Sequence, residues 1–201
     1  MIVVVDYGMG NLRSVSKALE HLGGKVKVSS SPKDIRNSDK VVLPGVGAFG
    51  DAVRELQSLK LFEPIREFIL NKKPFLGICL GLQLLFAESE ESTGNVGLGV
   101  CPGRVQAFRS AKVKIPHMGW NDIRIQKRHP LLKGIADGSF FYFVHSYYGV
   151  PTDQNIVAAT CLYGEENFAA CLATETAFAT QFHPEKSQET GLTILKNFLN
   201  W

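Results

Sequence analysis

The residues best equipped for chemistry are Cys79, His183 and Glu185, and the first is the most sharply framed. Gly77-Ile78-Cys79-Leu80-Gly81 is a G-x-C-x-G sequence between the apolar run Phe75–Ile78 and the helical pattern Leu82-Gln83-Leu84-Leu85-Phe86. That is the layout of a nucleophile elbow with sulfur in place of oxygen. A sharp strand-to-helix turn strains its central residue, and flanking glycines remove side chains that would collide with nearby backbone. The thiol then stands at the carboxyl edge of a sheet, where helix N-terminal N–H dipoles favour a thiolate. The N–H of Leu80 can face a developing oxyanion there. A cysteine taken at random is more often a packed core residue, and the paired glycines reverse that preference for Cys79. Nothing comparable frames Cys101, Cys161 or Cys171, which read as core.

The second group is Gln181-Phe182-His183-Pro184-Glu185, directly after the strand-like Ala177-Phe178-Ala179-Thr180. Glu185 stands two residues beyond His183, so it can accept the proton of one ring nitrogen while the other faces a sulfur, and Pro184 stiffens the turn between them. Alone, this would pass for a loop histidine beside a solvated acid. A third signal is Pro44-Gly45-Val46-Gly47, where glycine freedom lets a peptide N–H turn toward an oxyanion. His21 on an amphipathic helix and His129 in a His-Pro turn read as solvated, whereas His117 and His145 sit in richer settings.

These groups need strands that end side by side, and the sequence supplies them. Residues 1–6 form an apolar run, Gly8 to Asn11 a turn, and Leu12, Val15, Ala18, Leu19 and Leu22 recur at helical spacing. Val26–Val28 and Lys40–Leu43 are further strands, Ser31-Pro32-Lys33-Asp34 is a helix start, and residues 51–70 are helical with an interruption near Pro64. Such alternation predicts an α/β fold, a doubly wound and mostly parallel sheet with helices on both faces. After Gly94 shorter aromatic and β-branched segments take over, near Val105, Ile123, Phe140–Tyr148, Ile156–Leu162 and Phe178–Phe182. Antiparallel strands are expected to extend the sheet in this C-terminal half, before a helix over Thr190–Leu199. Residues 1–201 read as one domain.

Composition narrows the function. The 45% apolar share, the 20% of charged residues and the formal net charge of +3 describe a globular chain without the basic run that nucleic acid requires. No stretch reaches the ~18 apolar residues of a membrane span, no leader is visible, and the expected location is cytoplasmic. The four cysteines show no C-x-x-C pair, so neither a metal site nor a disulfide framework is expected.

Elbow, His-Pro-Glu group and oxyanion loop together resemble the class I (triad) glutamine amidotransferases over nearly the whole chain. The resemblance implies that Cys79 attacks the side-chain amide of glutamine, that His183 protonates departing ammonia with Glu185 behind it, and that water hydrolyses a γ-glutamyl thioester. It also implies Val46 and Leu80 as oxyanion donors, and Gly47, Gln83, Ser146 and Tyr147 as glutamine contacts. Three further segments, Asp6–Leu12, Pro116–Asn121 and Tyr142–Tyr147, resemble the glutaminase subunits of imidazole glycerol phosphate synthase in histidine biosynthesis. That likeness implies no cofactor, a heterodimer with a (β/α)8-barrel cyclase that makes imidazole glycerol phosphate and AICAR, and interface roles for Asn11, Trp120 and Tyr142.

Other readings have less behind them. Gly8-x-Gly10 opens a helix as a dinucleotide-binding loop does, but Arg13 occupies the third glycine position and no acid ends the second strand. A stand-alone cysteine hydrolase could use the same elbow. A glutaminase serving another synthase would lack a reason for the Asp6–Leu12 and His117–Asn121 motifs.

Overall fold

The computed structural model describes residues 1–201. The chain runs β1 (Ile2–Val5), α1 (Leu12–His21), β2 (Val26–Ser29), α2 (Pro32–Asn37), β3 (Lys40–Gly45), α3 (Phe49–Ser58), α4 (Phe62–Leu70), β4 (Phe75–Cys79) and α5 (Leu80–Gln83). It continues through β5 (Glu88–Ser89), β6 (Gly103–Ala107), β7 (His117–Asp122), β8 (Arg124–Ile125), β9 (Phe140–His145) and β10 (Tyr147–Pro151). The last elements are β11 (Val157–Tyr163), β12 (Glu166–Ala173), β13 (Ala177–Thr180) and α6 (Gln188–Asn200).

Eight strands form one sheet in the order β2-β1-β3-β4-β13-β12-β11-β8. The first five are parallel and the last three antiparallel. The apolar runs β1, β4 and β13 are buried at every residue, as strands covered on both faces must be. Alternation splits their side chains between two cores. Val4, Val42 and Leu76 join Val15 and Leu19 of α1 and Ile194, Leu195 and Phe198 of α6 on one face. Val3, Val5, Val41 and Phe75 join Ile35 of α2, Leu56 of α3 and Phe68 of α4 on the other. No helix is long and apolar enough to cross a membrane.

The helix boundaries follow local chemistry. Asn11 accepts a hydrogen bond from the Ser14 N–H to cap α1, and Ser31 does the same for Asp34 at the start of α2. The interruption expected near Pro64 falls earlier, at Lys60, whose φ is +56°. Pro64 lies in the first turn of α4, where its missing N–H costs no helical hydrogen bond.

The C-terminal half differs from expectation in its pairing. The strand at Phe178 is parallel to β4, with Ala179 opposite Gly77 and Thr180 opposite Ile78; its unbroken burial suits a central strand. The segments near Val105 and at Phe140–Tyr148 leave the main sheet. They form a three-stranded sheet in the order β10-β6-β5 and a ribbon of β7 with β9. In β9, Phe141, Phe143 and His145 are buried while Phe140 is 57% exposed, the alternation of a ribbon with one wet face.

Candidate active site

Parallel pairing of β4 with β13 brings Cys79 and the segment after Thr180 to one edge of the sheet. Cys79 ends β4 at φ +55° and ψ −105°, a conformation disfavoured for a side chain with a Cβ and held by its surroundings. The elbow glycines are required by space. A Cβ on Gly81 would lie 2.0 Å from the Leu43 carbonyl oxygen, and one on Gly77 would lie 2.7 Å from that of Gly81. The helical pattern expected over Leu82–Phe86 is cut short, because α5 is a single turn ending at Gln83.

His183 stands just before, and Glu185 within, a 3-10 turn at Pro184–Lys186. The imidazole Nδ1 is 2.8 Å from Glu185 Oε1, with the two side chains 2% and 1% exposed. His183 Nε2 is buried without a hydrogen-bond partner. Burial alone would pull the His183 pKa down, but the negative charges of Cys79 and then Glu185 outweigh it and hold it at about 10. The ring therefore stands between Cys79 on one side and Glu185 on the other, both of which favour its protonated form. β9 fixes the turn's location: His183 N–H donates to the Tyr142 carbonyl at 2.9 Å. Tyr142 N–H donates to Ser187 Oγ at 3.0 Å, and that hydroxyl donates to the His183 carbonyl at 2.6 Å.

A cavity of about 440 Å³ opens beside the sulfur, lined by Val46, Gly47, Cys79, Leu80, Gln83, Ser146 and Tyr147. Every residue the sequence suggested for oxyanion or glutamine contact thus faces one space. Gly47 has φ +97°, the left-handed backbone that lets the Val46–Gly47 loop turn there. Gln83 Nε2 donates to the Tyr147 carbonyl at 2.8 Å. Glu91, His145 and Lys186 also line the cavity, and sequence reasoning did not assign them to it. Glu91 was hidden in an acidic loop, where it accepts the Phe49 N–H at 2.8 Å. Tyr7 was missed as well. Its hydroxyl is buried and unpartnered, a Cβ on Gly45 would meet it at 2.4 Å, and burial, then the Cys79 charge, drives its pKa up.

The suggested interface residues lie apart from the cavity lining. Trp120 on β7 is 46% exposed and pairs across the ribbon with Tyr142 of β9, ring centres 6.2 Å apart. Lys186 Nζ lies 5.8 Å over the Tyr142 ring. Asn11 serves as the α1 cap. His129, expected to be solvated, is half-buried, stacks on Phe178 at 4.8 Å and has its pKa lowered by burial to about 4. Its Nδ1 accepts the Leu131 N–H, a cap that a bare His-Pro sequence does not advertise. Cys101, Cys161 and Cys171 are buried free thiols with pKa values raised by burial.

Known proteins of this architecture are numerous. A structure described as a glutamine amidotransferase superposes over 100% of both chains at a TM-score of 0.77 and 17% identity. The structure of PurLQS from Thermotoga maritima covers 99% of this chain and 97% of its own at 0.77 and 22% identity. At those identities the likeness concerns the fold. In sequence, the chain is 52% identical over 204 residues to imidazole glycerol phosphate synthase subunit HisH of Syntrophotalea carbinolica, covering 98% of each. It is 52% identical over 199 residues to the subunit of that name from Methanosarcina acetivorans, covering 98% of this chain and 97% of the relative. Residues 3–201 match the family described as Glutamine amidotransferase class-I, and with an elbow cysteine, a His-Glu pair and a shared cavity at one sheet edge, the chain belongs to that family.

Proposed function

We propose that residues 1–201 form one glutaminase domain, acting as the ammonia-supplying subunit of an imidazole glycerol phosphate synthase. The observation that carries this reading is the meeting of Cys79, the His183–Glu185 pair and the cavity at the end of β4 and β13.

The Cys79 thiolate attacks the side-chain carboxamide carbon of glutamine. The carbonyl oxygen gathers negative charge toward the Leu80 and Val46 N–H groups. His183, an imidazolium before the attack, gives its Nε2 proton to the departing nitrogen, the C–N bond breaks, and ammonia and a γ-glutamyl thioester remain. Neutral His183 then takes a proton from water as the hydroxyl attacks the thioester, and glutamate leaves with the thiolate restored. Glu185 keeps the ring in the tautomer that presents Nε2 throughout. Gly47, Gln83, Ser146 and Tyr147 hold the substrate, and the carboxylate of Glu91 offers a partner for its α-ammonium group.

The chain has no G-x-x-x-x-G-K-[ST] loop, so the phosphorylated acceptor belongs to the partner, a cyclase of (β/α)8-barrel form joined as a heterodimer in the cytoplasm. Met118, Trp120 and Phe140, 62%, 46% and 57% exposed on the β7–β9 ribbon, make an apolar face for that partner. Tyr142 and Asn11 extend it, and aromatic residues are the usual energetic centres of interfaces.

Glutamate release should be followed for the chain alone, with the cyclase, and with cyclase plus its phosphorylated substrate, using Cys79→Ala as control. Partner-dependent release that Cys79→Ala abolishes is the expected outcome. Full activity without a partner would redirect the reading to a stand-alone hydrolase, and release surviving in Cys79→Ala would remove the nucleophile.

A further inference from the structure

Gln181, which has no part in the mechanism above, lies at one end of a connected set of buried polar residues. Gln181, fully buried in the His-Pro-Glu segment, places Nε2 3.7 Å from Cys79 Sγ. Its Oε1 lies 3.4 Å from Gln83 Nε2. Gln83 Nε2 also meets the Tyr147 carbonyl, and that carbonyl accepts from His145 Nδ1 at 2.8 Å. His145 Nε2 is 3.1 Å from His117 Nδ1, and His117 Nε2 is 3.2 Å from Asn121 Nδ2, which donates at 3.0 Å to the Leu162 carbonyl.

The direction of every bond in this chain is forced. A carbonyl only accepts, so His145 carries its proton on Nδ1 and leaves Nε2 bare. His117 must then be protonated on Nδ1, and its bare Nε2 accepts from Asn121. Both rings have to be neutral for this pattern, and burial lowers their pKa values to about 4 for His117 and about 3 for His145. On the other side, Gln83 cannot turn its oxygen toward the Tyr147 carbonyl and the Gln181 oxygen without setting acceptor against acceptor. Its amide is therefore locked, which locks Gln181 with its oxygen toward Gln83 and its N–H pair toward sulfur. The Gln181 backbone is held independently, its N–H donating to the Ala170 carbonyl at 2.9 Å.

We propose that Gln181 is a positioning residue for the Cys79 sulfur, donating an N–H that holds the thiolate in the attacking orientation, with its amide fixed through Gln83 by the Tyr147 carbonyl. The proposal rests on Cys79 as the nucleophile. A glutamine that merely filled space would leave sulfur reactivity unchanged when its N–H is removed.

Two variants separate these roles. Gln181→Glu keeps the shape and replaces the donor by an acceptor beside sulfur; Gln181→Asn stays neutral but is one methylene too short to reach it. The second-order rate of Cys79 alkylation by iodoacetamide is measured on the full chain, with Cys79→Ala identifying the labelled site. Glutaminase kcat and KM are measured with the cyclase present. Both variants are expected to be alkylated at least about 10-fold more slowly, roughly 1.4 kcal/mol, with a matching fall in kcat and KM within about threefold. If both folded variants are alkylated within twofold of the wild-type rate while Cys79→Ala is inactive, the Gln181 proposal fails and the nucleophile assignment stands. If Cys79→Ala keeps its activity, the assignment itself fails.

Discussion

Replacing Glu185 with Gln isolates the charge behind the imidazole, because the side chain keeps its shape and its place 2.8 Å from His183 Nδ1. Both side chains are almost wholly withdrawn from water, so solvent does little to screen the loss. Removing one partner of a buried ion pair costs about 3–5 kcal/mol. The whole rise of the His183 pKa from 6.5 to about 10 corresponds to on the order of 5 kcal/mol, and Cys79 supplies part of it against the opposing effect of burial. If the lost interaction is felt in full in forming the thiolate–imidazolium pair that attacks glutamine, kcat falls by roughly 10² to 10³·⁵. KM for glutamine should hardly move, since Glu185 does not line the cavity. The assay is steady-state glutamate release with the cyclase present. Stability offers an independent reading. A raised folded pKa stabilises fully below about 6.5, and that contribution disappears as pH rises through about 10. The urea midpoint of the wild type should therefore fall across that window, and Glu185→Gln should flatten the fall. A kcat within threefold of wild type, or an unchanged pH slope, would refute the assignment of His183 as an imidazolium held by Glu185.

Three other substitutions test separate parts of the structure. Gly81→Ala forces a Cβ to 2.0 Å from the Leu43 carbonyl and should cost at least about 3 kcal/mol by urea unfolding; a loss under 1 kcal/mol would mean the elbow tolerates a side chain. Trp120→Ala removes an exposed ring, so thermal stability should hold within about 0.5 kcal/mol while stimulation by the cyclase drops at least tenfold, and equal loss of both would make the ring structural. Lys40 Nζ donates to the Phe198, Leu199 and Trp201 carbonyls at 2.8, 2.8 and 3.0 Å, closing the end of α6. Lys40→Met should lower stability by about 2 kcal/mol with glutaminase activity intact, and an unchanged urea midpoint would show that water replaces the lysine without loss.

The parallel half of the fold and the triad were legible because each depends on contiguous residues. Buried runs such as Ile2–Val5 and Phe75–Cys79 advertise central strands, and the glycines at 77 and 81 advertise the clash that the structure confirms at Leu43. The pairing of the C-terminal strands was not legible, because alternation in β7 and β9 specifies one wet face but not a partner. The parallel placement of β13 depends on the return through β12, a long-range event. His129 looked solvated because its neighbours Phe178 and Trp201 come from distant segments. Gln181 shows the same limit: its motif was visible, but the partners of its amide, Cys79 and Gln83, come from a segment far earlier in the chain.

The pairing of β4 with β13 also sets an order of events during synthesis. Cys79 leaves the ribosome roughly 100 residues before His183 and Glu185, an interval of about 5–20 s at ordinary elongation rates. Throughout it the nascent chain carries a thiol with neither its base nor the strand that seats it. The triad closes only when β13 slots in between β4 and β12, so the nucleophile is made early and waits for the strand that carries its base.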